Sequence, residues 1–223
     1  MTGTLILVAT AALAAVAVHL HLVARRSAAR DRSGLFDDVR DLLEAPRLHR
    51  DGVGYPTLTG LAGGYPVTIR AVVDSLAVRK LPALWLEVTL HRPLPVGASL
   101  SVLLRPSGSE FFSPNGRFAH ELDTPEGFPR PARVATPDPD RAPPLSVLDP
   151  GLGFLREAPT KEVALGTAGV RAVRLLAECD QNAYRVGRRA VFHRVRVARS
   201  ELAGTLAALS GVGDHAASTV ERC

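Results

Sequence analysis

Cysteine, methionine, tryptophan and lysine are all scarce in this 223-residue chain, which holds two Cys, one Met, one Trp and two Lys. Cys179 and Cys223 are too few for a disulfide framework and too distant for a redox motif. A bridge between them makes sense only in an exported domain. Signatures of covalent, phosphate or metal chemistry are missing too: there is no nucleophile elbow, no phosphate loop, and no His or Cys pair at ligand spacing. Residues 211–216 fit G-x-G-x-x-A, but a dinucleotide site needs a preceding strand and a βαβ unit, and only seven residues follow. His120, Glu121, Asp123 and Glu126 match no metal template, and neither do Asp138 and Asp140. These absences lead us to expect a non-enzymatic protein without metal or cofactor.

Charge is missing from the first 24 residues. Residues 5–24 comprise ten Leu, Ile or Val, seven Ala, one Thr and two His. As a helix they would extend about 30 Å, the thickness of a bilayer's hydrocarbon core. Arg25, Arg26, Arg30 and Arg32 follow against Asp31 alone. Basic flanks stay in the cytoplasm, so the expectation is a single-pass transmembrane anchor in a bacterial inner membrane, N-terminus outside and domain cytoplasmic. A signal peptide cleaved after Ala29, which would make the protein periplasmic or secreted, is the alternative; Arg25 and Arg26 just upstream make that site poor. His19 and His21 lie two residues apart, do not share a helical face, and read as neutral imidazoles at headgroup level.

The net charge is +5, of which residues 25–32 supply +3 and residues 185–199 supply +6, so the remainder is −4. The second cluster is read as a basic strand, with Val191, Val195 and Val197 inward and Arg188, Arg194 and Arg196 outward. Arg185, Arg188, Arg189, Arg194 and Arg196 are the candidate contacts to anionic membrane lipid or an acidic protein partner. The plainer possibility is a solvated face paired with Glu178 and Asp180. Nucleic acid is disfavoured because only Tyr184 and Phe192 accompany the charge. Of the 27 basic residues 25 are Arg, which a high-GC bacterial genome produces without selection for binding.

Periodicity suggests one α+β domain, with a mainly antiparallel sheet and a few short covering helices, behind the anchor. The divisions are an anchor at 1–24, a basic juxtamembrane segment with an amphipathic helix at 25–56, the domain at 57–210, and a flexible tail at 211–223. Leu35, Phe36, Val39, Leu42 and Leu43 form the apolar stripe of a helix over 33–45 that stops at Pro46. Strands are expected at 57–61, 65–73, 83–91, 99–104, 162–165, 170–176 and 191–198. Leu84, Leu86, Val88 and Leu90 alternate with Trp85, Glu87, Thr89 and His91. Asp149-Pro150 reads as an N-cap and first turn of a short helix, and Ser200 starts another that ends near Gly211. Residues 106–159 hold 11 of the 17 prolines and five of the seven Phe, among them Phe111, Phe112, Phe118 and Phe128. A loop of this length is functional or mobile.

The leading functional expectation is a membrane-anchored binding or scaffold protein. An exported small-molecule binder or hydrolase is the alternative, its site under the Phe-rich loop 110–130 and formed by Phe111, Phe112, Phe118, His120 and Glu121. Such a site requires a concave pocket with convergent polar groups.

Overall fold

A computed structural model of the chain describes residues 2–52, 54–75, 81–108, 110–188 and 190–220. It contains one antiparallel sheet of nine strands, with helices. In chain order these elements are α1 (Thr2–Ser33), β1 (Glu44–His49), β2 (Thr57–Ala62), β3 (Tyr65–Asp74), β4 (Ala83–Leu90) and β5 (Leu100–Leu104). They continue with β6 (His120–Glu121), β7 (Ala132–Thr136), α2 (Leu152–Arg156), β8 (Thr160–Gly166), β9 (Gly169–Glu178), α3 (Gln181–Gly187) and α4 (Arg199–Val220). The strand order is β1-β2-β3-β4-β9-β8-β5-β7-β6.

Strand alternation sorts the side chains onto two faces. Leu84, Leu86, Val88 and Leu90 of β4 lie on the buried face, with Val67 and Ile69 of β3 and Val170 and Ala172 of β9. On this face the sheet packs against Leu202, Leu206, Leu209 and Val212 of α4, against Phe154 and Leu155 of α2, and against Val147 and Leu148. The β2–β3 hairpin turns on Gly63 and Gly64, with φ of +57° and +80°, a backbone that glycine adopts at little cost.

The apolar N-terminal run is helical, but α1 continues to Ser33 through Arg26, Arg30 and Arg32. Among the described residues no helix is long and apolar enough to cross a membrane, and α1 is not a candidate span. The expected transmembrane anchor is corrected on this finding.

Four further expectations change. Leu35, Phe36, Val39 and Leu43 are buried as the stripe requires, but residues 34–42 form turns and a 3-10 segment, and 44–49 form edge strand β1. Pro46 fits there because an edge strand need not donate at every position. Residues 190–198 make no strand: Val197 is buried, but its N–H bonds to the Leu35 carbonyl rather than to a sheet neighbour. The short helix around Pro150 begins as a 3-10 segment over Leu145–Gly151, and Asp149 does not cap it. Helix α4 runs on past Gly211 to Val220 with Val212 and Ala216 buried, so 211–220 is packed helix and not a tail. Gly151 and Gly211 allow that approach, since a Cβ at Gly151 would come within 2.9 Å of Val212.

Candidate functional site

The face of the sheet that carries Trp85, Glu87, Thr89 and His91 is partly covered. Residues 110–118 cross it and dock through Ser113 and Asn115, both buried. Asn115 donates from Nδ2 to the Ser101 carbonyl, and Arg133 donates to Asn115 Oδ1 at 2.7 Å. Beneath this loop a row of charges crosses four neighbouring strands. Arg70 on β3 donates to Glu87 on β4 at 2.7 Å. Arg171 on β9 donates to Glu87 at 3.2 Å and to Glu162 on β8 at 2.6 Å. The Ser101 and Ser113 hydroxyls both donate to Glu162 Oε1, at 2.7 and 2.6 Å. Glu162 is 0% exposed; burial pushes its carboxyl above the usual range, and the Arg171 charge and the two hydroxyls pull it part of the way back.

Docking of the loop presents Phe112 to Trp85 with ring centroids 5.4 Å apart, and Phe111 meets Phe112 edge-on at 5.6 Å. Beside this stack lies a cleft of about 360 Å³, lined by Asp74, Trp85, Glu110, Phe112, Lys161 and Glu178 among others. The buried indole N–H of Trp85 has no hydrogen-bond partner among the described residues. Lys161 forms a 2.8 Å ion pair with Glu110 and donates to the Arg105 carbonyl at 2.6 Å. Both side chains of that pair are under a tenth exposed.

Burial alone would raise the Glu110 carboxyl, but hydrogen bonds from Lys161 and Ser107 outweigh it and hold the group at about 2. Because this folded value lies below the unfolded one, the pair stabilises the fold above about pH 4.5 and loses that contribution as pH falls towards 2. By linkage it is worth on the order of 3 kcal/mol at neutral pH. Urea titrations should show Glu110→Gln less stable than the parent at pH 7, with the gap narrowing steadily below pH 4.5. A gap independent of pH would mean that the carboxylate is not held this way.

The same geometry speaks against nucleophilic catalysis here. Ser107 donates to Glu110 Oε1 at 2.6 Å, and a carboxylate held near 2 is a weak base. Lys161 is engaged as a donor. Cys179 is buried and its thiol is pushed up, by burial first and then by Asp180 and Glu178. Cys223 lies outside the described residues.

The loop residues singled out from sequence do not gather at one site. Phe112 lines this cleft, and Phe118 lines a second one, of similar volume, further along the same face. Phe111 is 44% exposed, while Phe128 sits in the core on the opposite face. His120 and Glu121 form β6 at the sheet edge, where Glu121 pairs with Arg133. Among the described residues no group of three His, Cys, Asp or Glu could hold a metal ion. Sequence reading missed Asp74, Glu110, Lys161 and Glu178. One signal was present: Lys161 is one of two lysines in a chain that otherwise uses arginine, and Trp85 is its sole tryptophan.

The basic segment is also rearranged. Arg185 lies on α3, and Arg188 follows it at φ +49° with its guanidinium over the Tyr184 ring. Arg194 is exposed at φ +45°, and Arg189 lies outside the described residues. Two left-handed residues cannot belong to one flat strand, so Arg188, Arg194 and Arg196 do not share a strand face. Arg196 instead bonds the Gly34 carbonyl and Asp37, and Arg199 bonds Asp41. The Arg196 bonds hold the root of α1 to the domain, as do the bond from Arg50 to the Ser33 carbonyl and the placement of Arg32 over Tyr55.

These contacts gather basic residues around one end of the sheet. Asp74, Ala83 and Glu178 are aligned there across β3, β4 and β9, and α3 follows directly. From the root of α1 the helix leads away with its apolar side chains in the open: Leu13 is 71% exposed, and Leu7, Val16, Val18, Leu20, Leu22 and Val23 are also exposed. Comparison with protein-family models, curated proteins and solved structures gives no match. What the fold itself defines is a single-sheet α+β domain that carries an uncovered apolar helix rooted among arginines.

Proposed function

We propose that this chain is a non-enzymatic binding module that docks on an anionic lipid surface through α1 and the arginines around its root. The observation that carries the reading is the exposed row Leu7, Leu13, Val16, Val18, Leu20, Leu22 and Val23, which leads directly into exposed Arg26 and Arg30. A contiguous apolar surface of this kind is costly in water and marks an interaction site. Arginines beside it favour headgroups of negative charge over another apolar protein surface. Arg185 and Arg194 have no ion-pair partner among the described residues, so their charges are available to such a surface.

Magnitudes divide the roles. Burying one Leu or Val side chain is worth about 1.5–3 kcal/mol, and each Arg near an anionic leaflet about 1 kcal/mol. The helix supplies most of the affinity and the arginines choose the lipid. The cytoplasmic leaflet carries anionic lipid, and the proposal puts the domain on that side.

Flotation of the full chain with phosphatidylserine-containing and pure phosphatidylcholine vesicles tests this. Anionic vesicles should retain more protein, and added salt should reduce the difference. Replacing Arg185, Arg188 and Arg194 together by Gln should weaken anionic binding by about 100-fold at low salt. Equal retention by both vesicle types, or an unchanged triple variant, contradicts the role given to the arginines.

A further inference from the structure

We propose that the second cleft on the Trp85 face, beside Phe118, binds an uncharged sugar ring. Its floor is a trough that this sheet keeps open. One step beyond the pairs Leu90–Val170 and Leu100–Leu165, His91 and Ser99 flank the paired glycines Gly169 and Gly166. Neither glycine can be exchanged for a larger residue. A Cβ at Gly166 would lie 2.8 Å from Ser99 Oγ, and one at Gly169 would meet the Leu90 carbonyl oxygen. The middle of the row therefore carries no side chain, and a ligand can approach the backbone closely there. The cleft holds about 360 Å³, which suits a small-molecule site.

The walls match the two surfaces of a sugar, C–H groups on the ring face and hydroxyls around its edge. Phe118 and Pro114 of the docked loop line one side, and Phe118 is half-buried and stacks on no other ring among the described residues. An aromatic face of this kind takes the C–H side of a sugar ring. The polar lining is made of groups that both donate and accept: the Thr89 and Ser99 hydroxyls and the His91 imidazole, which is oriented by a 2.9 Å bond to Thr68. Charge decides against an ionic ligand. Arg171 is the one Arg, Lys, Asp or Glu in the lining, and its guanidinium is held by Glu87 and Glu162. Arg70 balances the second carboxylate of that row. The loop is already fixed by Ser113 and Asn115, so binding requires no rearrangement of Phe118.

Saturation-transfer NMR on the full chain, kept in a polyoxyethylene detergent that contains no sugar, tests this. The probes are the methyl pyranosides of glucose, galactose and mannose, with glucuronate as the charged counterpart. At least one pyranoside should give a saturable signal, strongest on the C–H protons of one ring face, and glucuronate should give none over the same range. Thr89→Val keeps the shape and the strand preference of the residue and removes one hydroxyl; it should weaken the sugar by about fivefold. Phe118→Leu keeps the bulk and removes the aromatic face, and should weaken it by a similar factor, about fivefold. No saturable signal from any of the three sugars, an equal signal from glucuronate, or an unchanged affinity in Thr89→Val would overturn the proposal.

Discussion

Glu162→Ala is expected to lower the unfolding free energy by about 3–5 kcal/mol, seen as a lower urea midpoint at unchanged slope. Few single changes in this domain should cost more. Glu162 is fully buried and accepts from Arg171, Ser101 and Ser113. Its removal leaves two buried hydroxyls without their acceptor and Arg171 with Glu87 as its one remaining carboxylate partner among the described residues, beside the Phe112 carbonyl. Glu162→Gln retains an acceptor for the two serines and should cost less, about 1–2 kcal/mol. The pH dependence has the opposite sign to that of Glu110. Burial raises the folded Glu162 carboxyl above its unfolded value, so its contribution is fully present below about pH 4.5 and declines as pH rises through the folded value. The alanine variant should also loosen Ser113 and with it Phe112, so the Trp85 emission spectrum should shift before global unfolding. A loss under 1 kcal/mol would show that the charge row is not what holds the loop.

Gly169→Ala is the second large effect, at about 4 kcal/mol or more. Gly169 opens β9 at φ +142°, a conformation almost confined to glycine, and an added Cβ would lie 2.0 Å from the Leu90 carbonyl oxygen. That oxygen belongs to the backbone, so no side chain can rotate away. Gly63→Ala and Gly64→Ala are the controls: both have positive φ but nothing within 4 Å, and each should cost only about 1 kcal/mol. Thermal unfolding of the three variants separates steric clash from backbone strain. If all three lose the same amount, the close approach of β9 to the end of β4 is not the cause.

Local patterns were legible in the sequence where one residue's environment decides its neighbours' geometry. The alternation at 84–91 becomes β4 because period two is all that a half-buried strand needs. The stripe Leu35, Phe36, Val39, Leu43 correctly marks buried residues, yet it gives the wrong backbone, because turns and a 3-10 segment can bury the same set. Val191, Val195 and Val197 alternate as a strand would, but the pattern carries no information that Arg188 and Arg194 adopt left-handed backbone. The cleft was beyond reach for a different reason. Lys161 meets Glu110, and Trp85 meets Phe112, only because β9 and β8 insert between β4 and β5, and strand order is not written in periodicity. The cover over the Trp85 face was beyond reach for the same reason: Ser113 and Asn115 look like ordinary loop residues until Glu162 and Ser101 are placed beneath them.

The central claim is that α1 is an apolar arm made to be covered by lipid. Its most direct measurement is flotation of the full chain with phosphatidylserine-containing vesicles, beside a variant in which Leu13, Val16 and Leu20 are all replaced by Asp. These side chains are exposed and touch no part of the core, so the variant should fold as the parent does, with the same thermal midpoint for the domain. The account predicts that the parent floats with the vesicles and the variant stays in the aqueous fraction. Equal flotation of the two proteins would contradict it.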